Sequence, residues 1–136
     1  MDVMCNIVAL LRRYKMKEYK FRAWDEGLKE MLYFGLWNID YNVDITIYNE
    51  DDIMQYTGLK DINGSEIYEG DIVKNPSEEG YPMRGLVFYN DGSFKVTSSH
   101  ADITDKKVYD ILDKNLIEDN NMEKIGNKYE NPELME

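Results

Sequence analysis

Cysteine, histidine, proline and long apolar runs are nearly missing from this sequence, and each shortage closes a route. A single cysteine, Cys5, permits no internal disulfide, and thiolate zinc sites need several Cys or His ligands at short spacing. A reducing compartment follows. The only histidine, His100, has no companions for a metal triad or a nucleophile–base pair, since Cys5 lies in a separate N-terminal stretch. Neither a Walker A run nor G-x-G-x-x-G occurs, so the glycines build no phosphate cradle. No stretch reaches the ~20 apolar residues of a membrane span. The apolar opening from Met1 to Leu11 has Asp2 where a secretory signal carries basic residues, Arg12 and Arg13 follow rather than precede it, and no cleavage site appears. Basic residues are scarce too: 16 Lys plus Arg against 27 Asp plus Glu give a formal charge of −11. That field opposes binding to phosphate backbones, although the first thirty residues, with Arg12, Arg13, Lys15, Lys17, Lys20, Arg22 and Lys29, lean locally basic. These shortages place the protein in the cytoplasm of its cell.

What the chain does have is 43% apolar and 12% aromatic content over 136 residues, enough for one domain with a modest core. Residues 1–15 form an N-terminal extension. Val3, Ile7, Leu10 and Leu11 fall at spacings that fit one helical face, and a flexible tail is the alternative. From Met16 the pattern turns to strands. Tyr19, Phe21 and Ala23 alternate with Lys20, Arg22 and Trp24, a turn follows at Asp25-Glu26-Gly27, and Met31 to Phe34 returns as a hairpin partner. Tyr41 to Tyr48 alternates as a half-buried strand ending at the acidic turn Asn49 to Asp52, followed by a strand from Ile53 to Thr57. Asn63-Gly64 marks a tight turn. Gly70 divides two short apolar pairs, as at a barrel corner. Residues 75–82 read as a surface loop. Gly85 to Tyr89, Asn90-Asp91-Gly92 and Ser93 to Thr97 form the clearest hairpin. Asp102 or Thr104 is placed to cap a helix carrying Val108, Ile111, Leu112 and Leu116 through Asn115, and Met122 to Tyr129 is a last strand before Asn131-Pro132.

Three blocks in this order, FRAWD at Phe21 to Asp25, MQYTGLKDINGSEIYEGDIV at Met54 to Val73 and IGNKYENPEL at Ile125 to Leu134, resemble the signature of the YopX family of phage and prophage proteins. The resemblance spans Met16 to Leu134, within a domain of residues 16–136. It implies a mainly β fold with an SH3-like barrel core, a phage or prophage origin, and no assigned catalytic residues. The strand and turn signals agree, with an N-terminal hairpin region and one short helix before the C-terminal strand.

No cofactor, metal or small-molecule substrate is implied by any residue group. Glu66, Glu69 and Asp71 crowd together, yet the ordinary expectation is packing of Ile67 and Ile72 with carboxylates at a solvated rim. Glu50 to Asp52 and the Asp61-Ile62-Asn63-Gly64 run lack the spacing of a calcium loop. The remaining signal is aromatic. Eleven Tyr, two Trp and four Phe include Tyr33, Tyr56, Tyr68 and Tyr89, which are candidates for a protein-binding face, with cross-strand packing as the plainer role. The reading is a non-enzymatic binding or assembly module whose partner is another copy of itself or a different protein, not nucleic acid or membrane. The alternative is an acidic mimic of nucleic acid that blocks a host DNA-binding protein.

Overall fold

A computed structural model describes residues 18–35, 44–75, 83–98 and 102–136. Among these residues nine strands run β1 Lys20–Asp25, β2 Glu30–Gly35, β3 Ile53–Lys60, β4 Glu66–Tyr68, β5 Asp71–Asn75, β6 Met83–Asn90, β7 Ser93–Thr97, β8 Tyr109–Ile111 and β9 Glu123–Asn127. They build two antiparallel sheets, one ordered β2-β1-β3-β4 and the other β8-β7-β6-β5-β9. The fold is mainly β, and its two antiparallel sheets are compatible with an SH3-like barrel core. The N-terminal extension, Cys5, His100 and the loop from residue 76 to 82 lie outside the described residues.

Alternation along the strands gives the second sheet two apolar faces. On one, Val73, Val87 and Val96 join Ile67, Leu112, Ile117 and Met122 in the main core cluster, with Leu59, Phe94 and Leu116 at its margin. On the other, Ile72 and Leu86 pack with Ile103, and Ile125, Leu134 and Met135 close over them. The short helix Lys114–Asp119 therefore covers the first face and the 3-10 turn Pro132–Met135 the second.

The two sheets meet where β4 passes into β5. Gly70 sits there with φ +81°, and a Cβ on it would lie 2.9 Å from Met54 Sδ. Its N–H donates to the Val87 carbonyl at 2.8 Å and its carbonyl accepts from Lys128 N–H at 2.9 Å. The corner anticipated at Gly70 is thus a junction tying β3, β6 and the segment after β9. The hairpin at Asp91-Gly92 also follows the expected chemistry, with positive φ at both residues (48° and 81°).

Two expectations fail, for one shared reason. Where the alternation of Tyr41 to Tyr48 predicts a strand, residues 41–43 lie outside the described set and Ile45–Ile47 is a 3-10 turn. Asp44 Oδ1 accepts from both the backbone N–H (3.0 Å) and the hydroxyl (2.6 Å) of Thr46, closing the chain locally, and Ile47 is left exposed. The helix expected from Asp102 or Thr104 is likewise absent. Asp102 and Asp105 accept from the N–H groups two residues on, Thr104 and Lys107, and form turns. Tyr109–Ile111 then pairs with β7, and the helix begins only at Lys114, capped by Asp113 through a 2.7 Å bond from Leu116 N–H.

Gly70→Ala is expected to lower stability by about 2 kcal/mol, from the left-handed backbone and the Met54 contact together. Urea unfolding of the variant against wild type measures it.

Candidate functional site: a tyrosine-lined cleft backed by a buried charge pair

A cleft of about 690 Å³ opens between the sheets. One wall is β3 from Gln55 to Gly58 with Lys60, the other is the tip of the β6–β7 hairpin with Tyr89, Gly92, Ser93 and Phe94, and Glu18 and Tyr19 close one end. The strand pairing makes this possible. Around Gly58 the β3–β4 register shifts between Tyr56 and Lys60, so β3 bends away from its partner at the cleft. Gly58 and Gly92 both hold φ +81° and face open space where a side chain would be, which leaves backbone uncovered on both walls.

The four tyrosines singled out from the sequence divide between wall and support. Tyr89 is 52% exposed and packs edge-on against Phe94, with ring centres 5.2 Å apart. Tyr56 lines the cleft while most of its ring is buried against Tyr68, at 5.3 Å. Tyr68 is buried one layer behind, and the exposed Tyr33 rests edge-on against it at 5.7 Å. Tyr33, Tyr56 and Tyr68 thus form one stack, and Tyr89 faces the cleft from the opposite wall. Tyr19 and Phe94, which sequence reasoning did not single out, complete the aromatic lining.

Glu18 and Lys60 are the charged side chains lining the cleft. Lys20 Nζ bridges Glu18 and Glu66, 2.9 Å from each, and lies 5.3 Å from the centre of the Tyr56 ring. Hydrogen bonding to Glu18 and then Glu66 holds the Lys20 ammonium well above its ordinary value, and the bond from Lys20 holds Glu18 below its own. Burial pushes the Tyr56 hydroxyl up and the Tyr68 hydroxyl up to about 12, so both stay protonated at neutral pH.

Behind the tyrosine stack is a fully buried ion pair. Arg22 Nη2 donates to Asp71 Oδ1 at 2.7 Å and to the Glu69 carbonyl at 3.0 Å, and both side chains have no exposed surface. Asp71 Oδ2 accepts from Tyr68 N–H at 2.7 Å and lies 3.4 Å from Lys124 Nζ. The guanidinium stacks 4.9 Å from the Tyr68 ring centre, while Nε and Nη1 have no hydrogen-bond acceptor among the described residues. Asp71 was expected at a solvated rim and lies instead in the interior. The rule that charges face water gives way here because the carboxylate receives a cation, a backbone donor and a second ammonium at once. Burial still pushes the Asp71 carboxyl above its ordinary value, against Arg22 and Lys124. Glu69 next to it is shifted the same way by burial, although its Oε2 accepts from Gln55 N–H at 3.0 Å.

All three sequence blocks converge on this pair. FRAWD supplies Arg22 and Trp24, the middle block supplies Tyr68, Glu69 and Asp71, and the last block supplies Tyr129, whose ring stacks 5.6 Å from that of Trp24. Tyr129 Oη donates to Asp52 Oδ1 at 2.7 Å, so the acidic run at Glu50 to Asp52 serves as an anchor for that ring. Asp61, the other calcium-like fragment, accepts from Asn63, Ser65 and Lys124 N–H groups and knots β3 to β9. Among the described residues no group of three or more His, Cys, Asp or Glu is placed to hold a metal ion, and no helix is long and apolar enough to cross a membrane.

A two-sheet, mainly β domain with buried signature residues is the class that fold and site define. The YopX protein family model matches residues 20–136, and the chain belongs to the YopX family. Among solved structures it is similar to protein EF1440 from Enterococcus faecalis, with 28% identity, a TM-score of 0.58, and coverage of 87% of this chain and 98% of that one. No curated protein matches it.

Arg22→Met alone should cost about 3–5 kcal/mol, because it strands the Asp71 carboxylate in the interior. Arg22→Met with Asp71→Asn should recover most of that loss, since Asn keeps an acceptor for Tyr68 N–H; denaturant midpoints of the single and double variants measure it. Glu69→Gln tests the neighbouring carboxyl. Because the folded Glu69 value lies above 4.5, its favourable contribution is complete below that pH and is lost as pH rises through the folded value. Glu69→Gln should therefore gain on wild type between pH 4 and pH 7 in urea titrations at the two pH values.

Proposed function

We propose that the protein is a non-enzymatic binding module, and that the tyrosine-lined cleft is where it meets another protein. The observation that carries this reading is the make-up of the cleft. Exposed rings face it from two sides, Tyr19 just before β1 and Tyr89 on β6, backbone is uncovered at Gly58 and Gly92, and the carboxylate of Glu18 is already held by Lys20. Tyr and Phe supply large contact area at low conformational cost, which is why they concentrate in protein interfaces. The phage or prophage setting implied by the family resemblance supports a partner in a bacterial host cell, either a host protein or another phage product.

Assembly with further copies of the chain is the second reading, favoured by the edge strand β8. Val108, Tyr109 and Ile111 are 53%, 43% and 51% exposed there, at the margin of the five-stranded sheet. Asp110 sits in the middle of that edge, where a carboxylate discourages strand pairing.

Affinity capture from host cells separates the two. A partner that is held by wild type and by Tyr109→Ala but lost with Tyr19→Ala/Tyr89→Ala supports the cleft. Recovery of the protein alone, with a multimer in light scattering that Ile111→Lys dissolves, supports the edge. A partner indifferent to all these changes and sensitive only to salt would point to charge mimicry of nucleic acid.

A further inference from the structure

We infer that residues 3–14, which lie outside the described set, dock as an amphipathic helix on the face of β2, β1 and β3 opposite the buried ion pair. This is independent of what the cleft binds. The first argument is the burial of β1. Arg22, Ala23 and Trp24 are buried in succession, at 0%, 0% and 8% exposure. Successive residues of a strand point to opposite faces, so burial reaches both sides of β1. Arg22 and Trp24 meet Asp71, Tyr68 and Tyr129 on one side. Ala23 points to the other, where Leu32 and Ile53 flank it in register and Phe21, next along that row, stacks on Phe34 at 5.7 Å. These five residues make an apolar surface across three strands, and neither core cluster of the described residues includes any of them.

Shape is the second argument. Val3, Ile7, Leu10 and Leu11 recur at helical spacing, and Tyr14 continues the same row. From Val3 to Leu11 a helix rises about 12 Å, enough to cross three strands spaced about 4.8 Å apart. Residues 15–19 lead from that row into β1, which begins at Lys20. Five residues reach up to about 17 Å, more than the about 10 Å between stacked layers, so the chain can turn back over its own sheet.

Charge and tethering choose among occupants. Residues 1–17 carry Arg12, Arg13, Lys15 and Lys17 against Asp2 alone, in a chain of −11 overall, so they are drawn to the remainder of the protein. A tethered segment meets its own sheet at an effective concentration in the mM range, which favours it over a second copy or a foreign protein. Docking through the apolar row leaves Cys5 on the far side of the helix, so the single cysteine can carry a probe without disturbing the contact.

Nuclear magnetic resonance of the full chain, isotope-labelled and carrying a nitroxide on Cys5, tests the inference. The amide signals of Ala23, Leu32 and Ile53 should be lost and should return when the nitroxide is reduced. Ile7→Asp/Leu11→Asp should abolish that loss and raise the binding of an apolar dye several-fold, because the sheet face is uncovered. Intact signals from the β6–β7 hairpin show that the domain is still folded, and Ile7→Ala/Leu11→Ala repeats both measurements with a milder change. Signals that stay in wild type, or a loss that survives both double variants, overturn the inference. So does dye binding unchanged in both, since another segment then covers the sheet. The same loss in isotope-labelled chains without nitroxide, mixed with unlabelled chains that carry it, assigns the contact to a second copy and overturns the inference as well.

Discussion

Everything central in this structure is arranged around one buried ion pair. Arg22 and Asp71 are brought together across the junction of the two sheets, and neither charge reaches water. Such a pair contributes little net stability, because desolvation offsets much of the attraction. Its effect is on uniqueness. Either charge without the other is heavily penalised, so only packings that bring β1 to the start of β5 are tolerated, and the Tyr68 N–H must also find Asp71. The corner at Gly70 lies one residue before Asp71, whose carboxylate meets the guanidinium at 2.7 Å.

The tyrosine stack carries that constraint outward. Arg22 underlies Tyr68, Tyr68 underlies Tyr56, and Tyr56 forms part of the cleft wall. The wall is therefore set by the interior of the protein. Against it, the β6–β7 hairpin is tied down through Phe94, whose carbonyl accepts from Leu112 N–H at 3.0 Å and whose ring lies at the margin of the main core. The cleft thus joins a wall set by the buried pair to the turn end of a hairpin lying within the five-stranded sheet.

Much of the fold was legible where a turn has a strong local signature. Asp91-Gly92, Asn63-Gly64 and Gly70 all lie where the residues require them, and the strands between them follow. Legibility failed where short polar side chains bond to nearby backbone. Asp44, Asp102 and Asp105 each capture an N–H two residues away, and periodicity takes no account of that competition. The site was harder still. Tyr56 and Tyr89 could be named from their residue type, but their opposition across a cleft depends on two sheets meeting. Arg22 read as one member of a locally basic cluster, in the strand row it shares with Lys20 and Trp24. The available clue was Trp24, two residues along on the same face: a large ring there marks that side of the strand as interior, and Arg22 goes with it.

The Trp24–Tyr129 stack has a consequence for the order in which the chain can be completed. Its two rings are 105 positions apart (129 − 24), and Lys124, the second cation at Asp71, is 102 positions from Arg22 (124 − 22). Contacts of such separation form late, after a long loop has closed. During synthesis the guanidinium meets Asp71 once β5 has emerged, but the Trp24 indole lacks its stacked ring, and the Asp71 carboxylate its second cation, until the last strand and Tyr129 follow. The last block is thus a keystone in time as well as in space, and a chain halted before Tyr129 leaves the ribosome with the Trp24 ring still uncovered.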